Sequence, residues 1–266
     1  MQLKKIFIQI HQNLLNMDNL RINSALLVCI ILNLFTSVIQ GQNTKEGLVP
    51  SPTPVQEITA ELQILGIDVS HFQGDVNWQD VRNANIRFVY DKASQGDRFT
   101  DPDYVQNKKG AHEAGLLHGS YHFFTSDKGG KSQAEHFVSV AEYSPGDMPP
   151  VLDLEQAGIK GNPDIPALQK EIMIWLQEVE NTLNVRPIIY TNNPFANRYL
   201  NHPDFSEYEL WIAEYGVSKP KIPESWKDKG WLIWQRTDRG GIEGVVGQVD
   251  HDLFNPERPF VFHKKE

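Results

Sequence analysis

Cysteine is nearly missing from this chain: Cys29 is the only one in 266 residues, and it sits in an apolar N-terminal segment. Without that segment the protein has none. Disulfides, thiolate metal sites and a cysteine nucleophile are therefore excluded, and the core must be large enough to stand without covalent staples. Also missing are a Gly-x-x-x-x-Gly-Lys phosphate loop, a Gly-x-Ser-x-Gly nucleophile elbow and any internal repeat. Basic charge is in deficit, with 25 Lys and Arg against 34 Asp and Glu, a net charge of −9. An acidic surface argues against nucleic acid or an anionic membrane as partner. No apolar run has a comfortable membrane-spanning length; the longest candidate, Ala25 to Phe35, is too short.

That run has the layout of an export signal. Lys4, Lys5 and Arg21 precede it, and Thr36, Ser37 and Gly41-Gln42 follow. Residues 1–42 are read as a signal segment, with Met17 an alternative start and an uncleaved anchor the competing reading. The expected location is secreted, periplasmic or at the cell surface, with no stable membrane span after signal removal. Loss of residues 1–42 removes three basic side chains and one acidic one and takes the net charge from −9 to −11. Residues 43–61, punctuated by Pro50, Pro52 and Pro54, read as a polar linker.

Residues 62–262 alternate short apolar runs with helical stretches. Strands are expected at Ile64–Val69, Ile86–Asp91, Leu116–Phe123, Pro150–Leu154, Pro187–Tyr190, Glu209–Ala213, Trp231–Gln235 and Gly244–Val249. Helices are expected at Trp78–Asn83, Pro102–Ala114, Lys131–Ala141 and Ile165–Leu183. This order predicts an α/β fold: an irregular TIM-like β/α barrel of eight strands, the last three without regular outer helices.

In such barrels chemistry gathers where strands end. Asp153-Leu154-Glu155 closes a proline-bounded apolar strand. Strand alternation points both carboxylates to one face, with Cα atoms roughly 6–7 Å apart. Their repulsion raises one pKa and leaves an acid beside a base, the equipment of glycoside hydrolysis. Further acids are expected at strand ends: Asp68, Asp91, Glu214 and Asp250. Tyr121, Phe123, Phe124, Tyr190, Trp211, Tyr215 and Trp234 bring aromatic faces suited to sugar rings, some of them core, and Gln235 ends a strand. His71, His118, His122 and His251 lie near strand ends, but no metal-ligating set is read from them. Neither metal nor cofactor is expected.

Gly66-Ile67-Asp68-Val69-Ser70 with Gln73-Gly74 and Trp78, Gly119-Ser120-Tyr121-His122-Phe123, Asp153-Leu154-Glu155, Leu210-Trp211-Ile212-Ala213, Trp234-Gln235 and Val249-Asp250 together resemble glycoside hydrolase family 25 lysozymes. The resemblance spans about residues 64–254. It implies cleavage of the β-1,4 bond between N-acetylmuramic acid and N-acetylglucosamine, with peptidoglycan glycan strands as partner. It makes Glu155 the general acid and Asp153 its partner, with Asp68 and Asp250 completing an acidic floor. It implies sugar contacts from Tyr121, Phe123, Tyr190, Trp211, Tyr215 and Gln235. Three positions depart from the family pattern and are expected on the groove rim: Gln95 for a glutamate, Glu214 for an arginine, and Arg236 for an aromatic. A non-catalytic glycan-binding barrel and a metal-dependent polysaccharide deacetylase are the rival readings.

Overall fold

The computed structural model describes residues 63–259. The expected export segment (1–42), the expected linker (43–61), and residues 62 and 260–262 of the expected barrel lie outside them. Nine strands form one sheet: β1 (Leu65–Val69), β2 (Ile86–Gln95), β3 (Phe99–Thr100), β4 (Leu117–Phe123), β5 (Val151–Asp153), β6 (Ile188–Asn192), β7 (Glu209–Ala213), β8 (Ile233–Gly240) and β9 (Val249–Phe254). Their order is β1-β9-β8-β7-β6-β5-β4-β2-β3, and β1 also pairs with β2. That last pairing closes eight strands into a barrel, with the two-residue β3 appended to the rim of β2.

Among the described residues five helices pack around it: α1 (Trp78–Asn83), α2 (Tyr104–Glu113), α3 (Gly130–Ala141), α4 (Ile165–Leu183) and α5 (Asn193–Tyr199). Each of α1, α4 and α5 starts at a side-chain cap. Asn77 accepts from Asp80 N, Asp164 from Ala167 N and Asn192 from Phe195 N. Between β7 and β8 there is only a 3₁₀ turn at Glu224–Trp226, and β8 runs into β9 without a helix. The final third therefore lacks regular outer helices, as expected.

Three expectations need correction. The strand expected at Gly244–Val249 is β9, Val249–Phe254, and it is antiparallel to both neighbours. Residues 241–248 are too few for a crossover, so the chain can only turn back as a hairpin. Gly244 (φ 95°) and Gly247 (φ 91°) supply the left-handed backbone of that turn. Second, β2 does not stop at Asp91 but continues to Gln95, with a register shift between Lys92 and Ser94. Third, α5 was not expected, although Asn192-Asn193-Pro194 has the form of a helix start.

The barrel is filled rather than hollow. Phe88, Tyr90, Val151, Ile188, Trp211 and Phe254 cluster inside it. Gly66 and Gly119 make room for the two largest neighbours: an added Cβ would lie 2.3 Å from the Phe88 ring and 2.1 Å from the Tyr90 ring. The outer core is formed by Phe137 of α3 and Leu168, Ile172, Trp175 and Leu176 of α4, packed over Leu152, Ile189 and Leu210 of the sheet.

The α3–α4 contact depends on Gly130, whose added Cβ would fall 1.9 Å from the Glu171 carbonyl oxygen. Backbone cannot yield as a flexible side chain does. Gly130→Ala is therefore expected to destabilise the barrel by about 1–3 kcal/mol. A thermal melt should show the midpoint lowered by roughly 2–12 °C. An unchanged midpoint would mean that the helices separate at no cost.

Candidate active site

The carboxyl ends of the parallel strands open into a cleft of about 290 Å³. Sheet register explains what meets there. Phe123 pairs with Asp153, Asp153 with Tyr190, and Tyr190 with Trp211, so one row of inward-facing residues crosses four strands. At the seam, Asp68 of β1 lies directly opposite Asp250 of β9. All ten residues expected at the site line this cleft: Asp68, Asp153, Glu155 and Asp250, with Tyr121, Phe123, Tyr190, Trp211, Tyr215 and Gln235. Glu155 follows β5 in extended backbone (φ −143°, ψ 169°), which keeps it on the side of Asp153.

The seam is tied by Gln235. Its Nε2 donates to Asp68 Oδ2 at 2.6 Å, and its Oε1 accepts from Tyr190 Oη at 2.8 Å and Tyr215 Oη at 2.5 Å. Burial, then the charges of Asp250 and Asp252, push Asp68 well above the usual carboxylate range, partly offset by the Gln235 amide. Burial and the Asp238 charge push Asp250 to about 6, against a hydrogen bond from Asp68. Behind them Asp252 is fully buried and accepts from Trp211 Nε1 at 3.1 Å. Burial followed by the Asp250 charge raises it well above normal too. The floor is thus three aspartates, one more than expected; Asp252 shares a strand face with Asp250, two residues away.

Asp153 and Glu155 form the second acidic group. Burial and then the Glu155 charge raise Asp153 well above its ordinary value. Burial also raises Glu155, opposed by the Lys92 ammonium and by a hydrogen bond from Asp153. The pair titrates as a unit and keeps a proton after an isolated carboxyl has lost its own. Asp153 Oδ1 is buried with no protein donor.

Lys92 was missed as a site residue, because its strand was expected to end at Asp91. Among the described residues it is the only basic one lining the cleft. Its Nζ donates to Gln95 Oε1 at 2.8 Å and lies 4.8 Å from the centre of the Phe123 ring. Burial lowers its pKa, opposed by Asp153, Asp101 and Glu155. Phe72, 79% exposed, also lines the cleft and was not anticipated.

Other expected strand-end residues lie elsewhere. Asp91 is mid-strand, faces the helices and bonds His118 Nε2 at 3.0 Å. Glu214 accepts from the Lys221 backbone N–H, outside the cleft lining. Phe124 belongs to the outer core, and Trp234 donates Nε1 to Glu214 O at 2.8 Å. The three departures do not line the cleft; Gln95 reaches it through Lys92, and the Arg236 charge acts on buried Asp252.

The model of glycosyl hydrolases family 25 matches residues 67–245. The chain belongs to glycosyl hydrolases family 25. Lysozyme M1 of Streptomyces globisporus is 31% identical over 226 residues, covering 81% of this chain and 76% of that protein. The uncharacterised protein YegX of Escherichia coli K12 is 36% identical over 214 residues, covering 79% and 76%. The crystal structure of the bacterial lysozyme from Streptomyces coelicolor superposes with a TM-score of 0.68 at 30% identity, covering 72% of this chain and 92% of that one. As a family 25 member the chain is a glycoside hydrolase.

In this family 25 cleft Lys92 opposes the proton shared by Asp153 and Glu155. Removing its charge raises the pKa of the pair. Activity that needs the proton is lost as pH rises through that pKa, so Lys92→Met is expected to move the basic limb of the pH profile to higher pH. A limb that stays in place would free the pair from Lys92.

Proposed function

We propose that Glu155, drawing on the proton it shares with Asp153, is the general acid with which this family 25 enzyme cleaves the β-1,4 bond between N-acetylmuramic acid and N-acetylglucosamine in peptidoglycan. The observation that carries this is the carboxyl pair itself: Asp153 on the cleft floor and Glu155 half-exposed beside it, both raised in pKa by burial. A leaving oxygen can reach Glu155 more readily than Asp153, which is 6% exposed.

The unpartnered Asp153 Oδ1 fits an acetamide N–H of an N-acetyl sugar. Such a bond favours the charged form of Asp153 and lowers its pKa. The shared proton then passes to Glu155, so substrate binding itself arms the acid. Ionised Asp153 is left to orient the acetamide or to stabilise the positive charge that develops at the anomeric carbon. Asp68 and Asp250 complete the acidic floor. Tyr121 and Tyr190 are held neutral because burial raises their pKa; Tyr121 offers its hydroxyl to a sugar oxygen, and Tyr190, whose proton goes to Gln235, accepts from a sugar hydroxyl. Tyr215 and Phe123 present ring faces, Trp211 packs beneath Tyr190 with only its edge at the cleft, and Gln235 holds Asp68 in place. The substrate lies in the cell wall, in keeping with an N-terminal export segment and action outside the cytoplasm.

Mass spectrometry of purified peptidoglycan after incubation tests this. Muropeptides with new reducing ends at muramic acid are expected. Loss of acetyl groups from intact strands would instead identify a deacetylase, and unaltered strands with bound protein would identify a binding barrel. The acid and the stabilising charge both come from the protein, so turnover is expected to persist in EDTA. Loss in EDTA with recovery on adding zinc or calcium would overturn that.

A further inference from the structure

On the side of β4 away from the cleft is a second cluster of titratable groups that the hydrolytic reading does not use. Tyr121 and Phe123 of β4 face the cleft, whereas His118, by strand alternation, faces the helices. His112 on α2 and Asp147 in the loop before β5 meet it there. Ligand atoms of His112, His118 and Asp147 all lie within 4.8 Å of one another. We propose that these three residues form a zinc-class metal site that ties α2 and the β5 entry loop to the barrel wall.

The argument rests first on His118. Its side chain is 0% exposed, and its Nε2 meets Asp91 Oδ2 at 3.0 Å. A carboxylate there requires the proton on Nε2, which leaves Nδ1 as a bare acceptor. Nδ1 is buried and has no hydrogen-bond partner. An unpartnered polar atom at that depth is costly. A carboxylate behind one imidazole nitrogen, with the other free, is the arrangement that orients a metal-bound histidine.

The other two residues complete a donor set. His112 Nε2 meets Asp147 Oδ1 at 2.8 Å, and the ion would replace the proton between them. Asp147 is pre-positioned: its Oδ2 accepts from Ser144 N at 2.9 Å, and its own N donates to Ser144 O at 3.0 Å. The His112 side chain is 39% exposed, which gives an ion a way in and water the fourth position. Two imidazoles and one carboxylate favour zinc over magnesium or calcium. Ligand atoms around zinc stand about 3.4 Å apart when bonds are ~2.1 Å, so His112 and Asp147, 2.8 Å apart, must open slightly to admit the ion within a set whose atoms all lie within 4.8 Å of one another. His118 and His122 are also spaced His-x-x-x-His, which the sequence reading overlooked. On a strand that spacing separates them by ~13 Å, and His122 is instead held by Ser94 and Gln133.

Lys108 opposes the ion. Its ammonium lies 3.3 Å from Asp147 Oδ2, and the Ala141 and Glu142 carbonyls hold it there. Its charge weakens the site without occupying Oδ1. The site does not touch the cleft, so metal should act on stability and leave hydrolysis alone. The inference is therefore independent of the muramidase reading.

The test uses the purified protein, stripped with a chelator and titrated with zinc chloride in a calorimeter and in thermal melts. One zinc per chain is expected, with a melting point raised by roughly 5–10 °C at zinc a hundredfold above Kd. Peptidoglycan hydrolysis at 25 °C should be the same with zinc or EDTA. His112→Ala, at a half-exposed position, should abolish binding and the thermal response while keeping hydrolysis. Lys108→Met should tighten binding, an effect that a purely hydrogen-bonding role for the cluster would not produce. No stoichiometric binding, or binding unchanged in His112→Ala, would overturn the proposal.

Discussion

Glu155→Gln should lower turnover on peptidoglycan by about a hundred- to ten-thousandfold, the usual worth of a positioned proton donor. Gln has the shape of Glu and fits the half-exposed position beside Asp153, so the melting point should change little. It has no acidic proton to give the leaving oxygen. A folded variant with more than half the wild-type turnover would remove Glu155 from the role.

Asp153→Asn is expected to cost about a hundred- to thousandfold in rate, as loss of one preorganised electrostatic stabiliser does. It should also move the basic limb of the profile. Burial and the paired charge raise the pKa of the Asp153–Glu155 unit. A raised pKa means that the proton-bearing, active form persists at low pH and is lost as pH climbs through the raised value. The amide that replaces the Asp153 carboxyl in this variant carries no charge to repel the Glu155 carboxylate, so the proton leaves earlier and the limb moves to lower pH. Lys92→Met shifts it the opposite way. Measured on one soluble glycan, the two variants should bracket the wild type. Shifts in the same direction would contradict the electrostatic account of the pair.

The acid pair was legible because strand periodicity needs no tertiary information: two residues apart on a strand is one face. The same rule placed Tyr121 with Phe123. Where periodicity breaks, the sequence misled. At the irregularity between Lys92 and Ser94, Ala93 packs into the outer core and Ser94 bonds His122, so two consecutive residues face outward. That returns Gln95 to the side of Lys92, a proximity that no regular strand would give. Asp91, one residue earlier, was taken for a site acid because the strand was thought to end there. The last strand was displaced because Gly244 and Gly247 interrupt an otherwise apolar stretch. The seam could not be seen at all, since nothing local tells residue 68 that residue 250 will face it. Which tryptophan lines the cleft likewise depended on register: Trp211 does, and Trp234 turns out to the Glu214 carbonyl.

The antiparallel final strand has a consequence for when the protein becomes capable of harm. Gln235 and Asp68, joined at the seam, are 167 positions apart in the chain, and Asp68 meets Asp250 only after β9 has docked against β1. A nascent chain that has not yet reached β9 owns Asp153 and Glu155 but not the floor beneath them. Such distant closures are late and slow events in folding. The two halves of the proposed site therefore mature at different times: a fragment clipped before Val249 keeps Asp153 and Glu155 but lacks Asp250, and is expected to be inactive.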